Sequence, residues 1–144
     1  MTYLLDTNVL SELRKGPRAD PGVRRWFDKA VDRDLFTSVL VAGELRRGME
    51  SIRRRDRAAA DGLAQWLELL VERFGDRLLS IDAAVAKQWG ELNVPDPVPI
   101  PTIDGLLAAT ALVHDLTLVT RNVRDVARTG VRLIDPFTGR SPAR

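Results

Sequence analysis

No cysteine occurs in the 144 residues, and histidine occurs once, as His114. A disulfide framework is therefore excluded, and so is any cysteine-based zinc site. Long apolar runs are also missing. No stretch reaches the roughly 18 residues that a membrane span needs. The opening Met1-Thr2-Tyr3-Leu4-Leu5-Asp6 has neither the basic nor the apolar region of a secretory leader. No membrane partner is expected, and a cytoplasmic location is. Charge of one sign is scarce as well: 22 Lys and Arg against 20 Asp and Glu leave a formal charge of +2. Bulk charge therefore steers little. Repeats and low-complexity segments are absent.

What is present reads as one globular domain. Hydrophobic residues make up 44% and charged residues 29%, and a chain of this length buries a core without staples. Strand-type apolar runs alternate with helical patterns. Tyr3–Leu5 is a first strand, followed by a helix from Val9 with Asn8 as its cap, broken at Gly16-Pro17. Val23, Trp26, Phe27 and Ala30 keep helical spacing. Leu35–Thr37 is a strand, and Ser38 caps a helix striped by Val41, Leu45, Met49 and Ile52. A long helix spans about Asp56 to Phe74. Leu78–Ile81 is a strand, and Asp82 opens another helix through Trp89 and Leu92. Pro95, Pro97, Pro99 and Pro101 make a stiff extended loop. A very apolar helix over Leu106–Val113, a buried strand over Leu116–Val119, a short helix from Asn122 and a last strand over Val131–Ile134 complete the order. Uninterrupted apolar strands separated by helices predict a three-layer α/β/α domain with a central, mostly parallel sheet. It is expected to occupy residues 1–137, with Pro136 onward loosely attached and 138–144 a flexible tail.

Chemistry points to the acids. In a parallel sheet, ligands gather at the carboxyl ends of the strands. Asp6 follows the first strand directly, although aspartate there also serves as an Asx-type cap. Glu44 borders the apolar stripe of its helix and can alternatively pair with Arg47 on the surface. Gly48 one turn on weakens the helix and leaves room beside Glu44. Asp104 opens the apolar helix, near its positive end; Thr102 competes with it as a cap. Asn122 and Asp125 follow the strand ending at Val119 and are three residues apart, which suits either one pocket or a capping pair. Ser38, Thr120 and Asn8 stand next to these acids and can orient a carboxylate or hold a water.

Several carboxylates within about 4–6 Å cannot all remain charged uncompensated. A divalent cation supplies the compensation, and all-oxygen ligands favour Mg²⁺ or Mn²⁺ over zinc. Asp6 and Asp104 are the candidate direct ligands. A metal held by acids with bound water suits phosphodiester hydrolysis. His114, closing an apolar helix before Asp115, reads as structural, and Trp26, Trp66 and Trp89 keep core spacing. Arg46, Arg47, Arg53, Arg54, Arg55 and Arg57 crowd one short region, as a phosphate-contacting patch or as a solvated face in a chain where arginine far outnumbers lysine. Two other classes stay open. One is a phosphotransfer enzyme with Asp6 as nucleophile, although the common phosphatase signature wants a second Asp where Asn8 stands. The other is a non-catalytic binding module whose acids are caps or partner contacts.

Leu4-Leu5-Asp6-Thr7-Asn8-Val9-Leu10, Glu44 after Ser38, Ile103-Asp104 opening Leu107-Ala108-Ala109-Thr110-Ala111, and Leu118-Val119-Thr120-Arg121-Asn122-Val123-Arg124-Asp125 together resemble the PIN-domain family. Within it the chain is similar to VapC-type toxins of bacterial toxin–antitoxin pairs, up to about Phe137. The resemblance implies a Mg²⁺- or Mn²⁺-dependent endoribonuclease acting on RNA. It also implies homodimerisation and inhibition by a cognate antitoxin whose tail enters the active-site groove. The family's acidic set maps onto Asp6, Glu44, Asp104 and Asp125, with Asn122 beside the last. Some members carry an acid where this chain has Asn122, which leaves the fourth position open between Asn122 and Asp125.

Overall fold

Strand β1 (Tyr3–Leu5) is the centre of a five-stranded, all-parallel sheet. β2 (Leu35–Ser38) and β4 (Thr117–Val119) flank it, and β3 (Leu78–Leu79) and β5 (Leu133–Ile134) form the edges, giving the order β3-β2-β1-β4-β5. The computed structural model describes residues 1–93 and 98–138. Tyr3 stands opposite both Leu35 and Thr117, and Leu5 opposite Val119, so the three central strands end at one level. Leu4, Leu5, Leu118 and Val119 are buried, as strands covered on both faces require.

The connections are α1 (Thr7–Leu13), α2 (Pro21–Lys29), α3 (Val39–Arg53), α4 (Arg57–Phe74), α5 (Ala83–Asn93), α6 (Thr102–Val113) and α7 (Val123–Val126). Crossovers between parallel strands are right-handed. From β1 the chain steps to β2 and then β3 on one side, so α1 to α4 fall on one face. From β3 it returns to β4 and then β5 on the other side, which puts α5 to α7 on the opposite face. The packing follows this division: α1 meets α2 and α3, α3 meets α4, and α6 meets α5 and α7. The expected three-layer domain is present. The strand order reverses between β1 and β4, which makes the carboxyl ends of these two strands the crevice where ligands bind in open α/β sheets.

Local chemistry explains most boundaries. Ser38, Asp56 and Asp82 accept from main-chain N–H groups of Leu40, Ala59 and Val85. α6 is buried along Gly105, Leu107, Ala108, Ala109, Thr110 and Ala111. It approaches α5 at Gly105, where a Cβ would lie 3.2 Å from the Trp89 indole. Trp26 stands edge-on to Tyr3 with centroids 5.1 Å apart, and it and Trp66 pack on the core as expected.

Some expectations are corrected. The cap of α1 is Asp6, whose carboxylate accepts from Thr7 N–H, and not Asn8, which lies inside the helix. Pro101, not Thr102 or Asp104, precedes α6, and no side chain caps that helix. β3 and β5 are two residues each, shorter than the apolar runs that announced them. The segment 136–138 is seated rather than loose. Phe137 is buried in the core, and Thr138 bonds through both its N–H and its hydroxyl to Asp20, the cap of α2. Of the expected proline loop and tail, residues 94–97 and 139–144 lie outside the described residues.

Gly22 lies under that seat: a Cβ there would collide with the Pro136 carbonyl and crowd Thr138. Gly22→Ala gains helix propensity of about 1 kcal/mol, yet the clash with main chain outweighs it. The expected net result in urea unfolding is a loss of about 1–3 kcal/mol. A variant more stable than wild type would show that the segment is not tightly seated.

Candidate active site at the carboxyl ends of β1 and β4

Asp6 is held by both strands of the crevice. Its N–H continues the ladder to Val119 O at 3.0 Å. Its Oδ1 accepts from Thr7 N–H at 2.6 Å, and its Oδ2 accepts from the Thr120 hydroxyl at 2.6 Å and the Asn8 amide at 3.3 Å. Thr120 follows β4 as Asp6 follows β1. Its Oγ1 in turn accepts from Asn122 N–H at 2.9 Å and from the Asn8 amide at 3.4 Å. Asn8 Oδ1 accepts from Arg121 N–H at 3.1 Å, closing the link between the two loops. The side chain of Asp6 is thus both a helix cap and an oriented carboxylate. The cap and site readings are one geometry.

Glu44 lies on α3 one and a half turns beyond Ser38, and its Oε1 accepts from the Thr7 hydroxyl at 2.5 Å. Ser38 itself is fully buried and spends its hydroxyl on the cap of α3. Asp104, half-buried in the first turn of α6, is near enough to Asp6, Asp125 and Glu44 to feel the charge of all three. Asn122 makes no capping bond for α7; it stands near enough to Asp104 to favour that residue's charged form. Asp125 sits in the first turn of α7, exposed. All five residues named from the sequence therefore gather at one crevice. Thr7, which joins Glu44 to the Asp6 loop, was not singled out by sequence reasoning. The only signal for it was a hydroxyl directly after a strand-end acid, which a cap explains equally well.

The electrostatics are those of an anionic hole. Asp6 is 4% exposed. Burial pushes its carboxyl above the ordinary aspartate range, hydrogen bonds from Thr120, Thr7 and Asn8 pull it back, and the Glu44 charge pushes it further up. The Asp104 carboxyl is pushed up to about 6, by burial first and then by Asp6, Asp125 and Glu44, against the bond from Asn122. A cation at this point would relieve those repulsions, and every available donor is oxygen. Among the described residues no three acidic or imidazole side chains are arranged around a single ion position. The oxygen-only donor set suits a hard divalent cation. Beside Glu44 a groove of about 280 Å³, lined by Thr7, Ser11, Arg14, Gly48 and Trp66 among others, runs between α1, α3 and α4. A Cβ at Gly48 would meet nothing within 4 Å, so the room expected there exists. The basic cluster is partly neutralised: Arg53 pairs with Asp61 at 2.8 Å and with Glu50 at 3.1 Å.

A crevice at the strand-order reversal, ringed by acids from β1, α3, α6 and α7, is the site of a carboxylate-based metal-binding α/β domain. The PIN domain family model matches residues 3–131, and the chain belongs to that family. It is 33% identical over 139 residues to the plasmid stability protein StbB of Pseudomonas syringae pv. tomato, with 93% of this chain and 97% of that protein covered. It is 30% identical over 138 residues to toxin FitB of Neisseria gonorrhoeae, with the same coverage. The crystal structure of FitAcB from Neisseria gonorrhoeae superposes with a TM-score of 0.85 at 29% identity, covering 94% of this chain and 98% of that one.

A raised carboxyl sets the pH dependence of the metal-free fold. Asp104 binds its proton more tightly folded, at about 6, than unfolded, near 3.8. Its contribution to stability is fully present below about pH 4 and is lost as the pH rises through 6. Asp104→Asn, which keeps the shape and removes the charge, is expected to melt higher than wild type at pH 7 in chelator, with the advantage vanishing by about pH 4. Paired thermal melts across that range check it; an advantage independent of pH would contradict the charge repulsion.

Proposed function

We propose that the chain is a divalent-metal-dependent endoribonuclease acting as the toxin of a toxin–antitoxin pair, with Mg²⁺ or Mn²⁺ as its cofactor. The observation that carries this reading is the gathering of acids at the strand-order reversal, where the buried Asp6 stands with Glu44 and Asp125 near enough to act on the half-buried Asp104. Relatives bearing such names support it: VapC ribonuclease Y4jK of Sinorhizobium fredii is 29% identical over 137 residues, with 93% of this chain and 96% of that protein covered. An RNA substrate, a cognate antitoxin and a homodimer complete the proposal. No described helix is long and apolar enough to cross a membrane.

In this reading Asp6 and Asp104 hold the cation. When bound, the cation lowers the pKa of a coordinated water and offsets charge on the attacking and leaving oxygens. Thr120, Asn8 and the Thr7 N–H fix the Asp6 carboxylate, so its orientation needs no rearrangement. Asn122 turns Asp104, and Asp125 contributes charge from the first turn of α7. Glu44, steadied by the Thr7 hydroxyl, lines the groove beside the acids. The alternative with Asp6 as phosphate acceptor is disfavoured: the second Asp of the common phosphatase signature is replaced by Asn8, whose amide is bonded to Asp6 and Thr120.

Purified protein is expected to cleave single-stranded RNA with Mg²⁺ or Mn²⁺ and to stop in chelator. Asp6→Asn and Asp104→Asn are each expected to lower kcat/KM by at least about a hundredfold, since even outer partners of metal ligands are worth about 10–100-fold. Cleavage by either variant at the wild-type rate would sink the proposal. Thr120→Val keeps the volume but removes the donor to Asp6. Calorimetry with Mn²⁺ is expected to show its affinity down by about 10–100-fold; unchanged affinity would remove Asp6 from the metal site.

A further inference from the structure

Glycine weakens a helix interior, yet α3 carries one at Gly48, a turn beyond Glu44. Packing within the chain does not call for it: a Cβ there meets nothing within 4 Å, unlike a Cβ at Gly22 or Gly105. Gly43, Gly62 and Gly90 are equally open, but of these four only Gly48 lines the groove that begins at Glu44. On the α1 side Thr7, Ser11 and Arg14 stand at i, i+4 and i+7 and line the same groove. Thr7 bonds Glu44 at the acid end. Arg14, the C-cap of α1, lies about 10 Å further along the helix axis. The rest of the lining is apolar and comes from α3 and α4, with Trp66 half-buried in it. Ser11 and Arg14 are therefore its polar groups beyond the acid end. Among the described residues neither side chain makes a hydrogen bond or ion pair. Arg53, by contrast, is taken up by Glu50 and Asp61, and Arg73 and Arg77 by Asp32.

Apolar walls with a few convergent polar groups are the pattern of a ligand site. A strand cut at the acids must continue past them, and each of its nucleotides brings one flat base and one anion. Single-stranded RNA is read by unstacking its bases onto protein surfaces and bonding their edges. The apolar walls suit the base. A serine hydroxyl both donates and accepts, so it can meet a base edge of either kind. An arginine fork matches phosphate oxygens in bidentate fashion, and its charge offsets the repulsion between the acids and the backbone. A purely apolar peptide would fill the walls and leave the Arg14 charge unanswered. Alternating base and phosphate match the groove along its whole length.

We propose that the groove between α1, α3 and α4 is a nucleotide subsite: the base beside the scissile phosphate lies over Gly48 with its edge on the Ser11 hydroxyl, and Arg14 binds the next phosphate. The proposal rests on the ribonuclease reading above and gives the groove its occupant, one nucleotide of single-stranded RNA. These contacts hold the strand in register and take no part in the chemical step.

Fluorescence anisotropy of a fluorescein-labelled single-stranded RNA oligonucleotide tests this, on the full chain carrying Asp104→Asn so that binding is read without cleavage. Gly48→Leu, added to that parent, fills the groove with a good helix former. It is expected to raise Kd about tenfold, as for one displaced base, while melting no lower than the parent. Arg14→Ala is expected to raise Kd about tenfold or more, as for one lost hydrogen bond to a charged group. It should also flatten the slope of log Kd against log[salt] by about 0.7, one phosphate's worth on a single strand. Arg14→Lys should restore the salt slope but only part of the affinity, because charge returns without the bidentate fork. Unchanged Kd in Gly48→Leu and Arg14→Ala, or no RNA binding by the parent, would overturn the proposal. Should Gly48→Leu melt lower than its parent, the two variants at the exposed Arg14 decide the matter. Cleavage by wild type with Mn²⁺ is measured alongside. No cleavage with the Kd shifts intact defeats the ribonuclease reading alone, and cleavage with Kd unchanged defeats the subsite alone.

Discussion

The rest of the site depends on how one carboxylate is kept out of water. Asp6 leaves β1 into the crevice and is almost wholly buried. Desolvation alone would favour its neutral form. Three donors oppose that: a main-chain N–H from its own helix, an amide from the second residue of that helix, and a hydroxyl just past the end of β4. Because two of these come from α1 and one from the neighbouring strand, the bonds also lock the β1 and β4 loops together. Parallel pairing of Leu5 with Val119 brings the loops level. A slip of one residue in that register would turn Thr120 away from Asp6 and dismantle the network.

Everything else in the crevice adds negative charge. Glu44 arrives from α3, Asp104 from α6 and Asp125 from α7, so helices on both faces of the sheet each contribute an acid. Burial first, and then the neighbouring charges, raise the proton affinities of Asp6 and Asp104. A fold that collects like charge at its strand-order reversal holds part of its stability in reserve for a cation. The bonds to Asp6 come from neutral donors, which orient the carboxylate without neutralising it. An arginine in the same role would have consumed the charge that a metal needs.

Much of this was legible in the chain because it is local. Apolar runs such as Leu116–Val119, caps such as Ser38, and breakers such as Gly16-Pro17 act over a few residues, and they fell where sequence placed them. The acids were legible for the same reason: each sits at a strand end or a helix start. Strand order is not local. Nothing in Tyr3–Leu5 announces that it is central, with β4 rather than β3 at its side, so the crevice between Asp6 and Thr120 emerges only from the topology. Role sharing was also hidden. Asp6 was weighed as a cap or as a site residue, and Asn122 as a cap or as a partner of the acids. In the fold Asp6 is a cap that also faces the other acids, and Asn122 makes no capping bond and stands close to Asp104.

The C-terminal segment shows the same limit from another side. Asp135-Pro136-Phe137-Thr138 has no periodicity, and a sequence reading makes it a loose end. Its seat is made by groups more than a hundred residues away: Asp20, which already caps α2, and Gly22, whose missing Cβ leaves space for the Pro136 carbonyl. Asp20 accepts from four donors, two in its own helix and two from Thr138. Those bonds hold its carboxyl below the ordinary range despite some desolvation. The helix cap, the glycine and the buried ring form one unit, and that unit ends beneath Arg121 at the edge of the acids. Core packing on the α2 side is therefore continuous with Arg121, whose main-chain N–H bonds Asn8 beside Asp6.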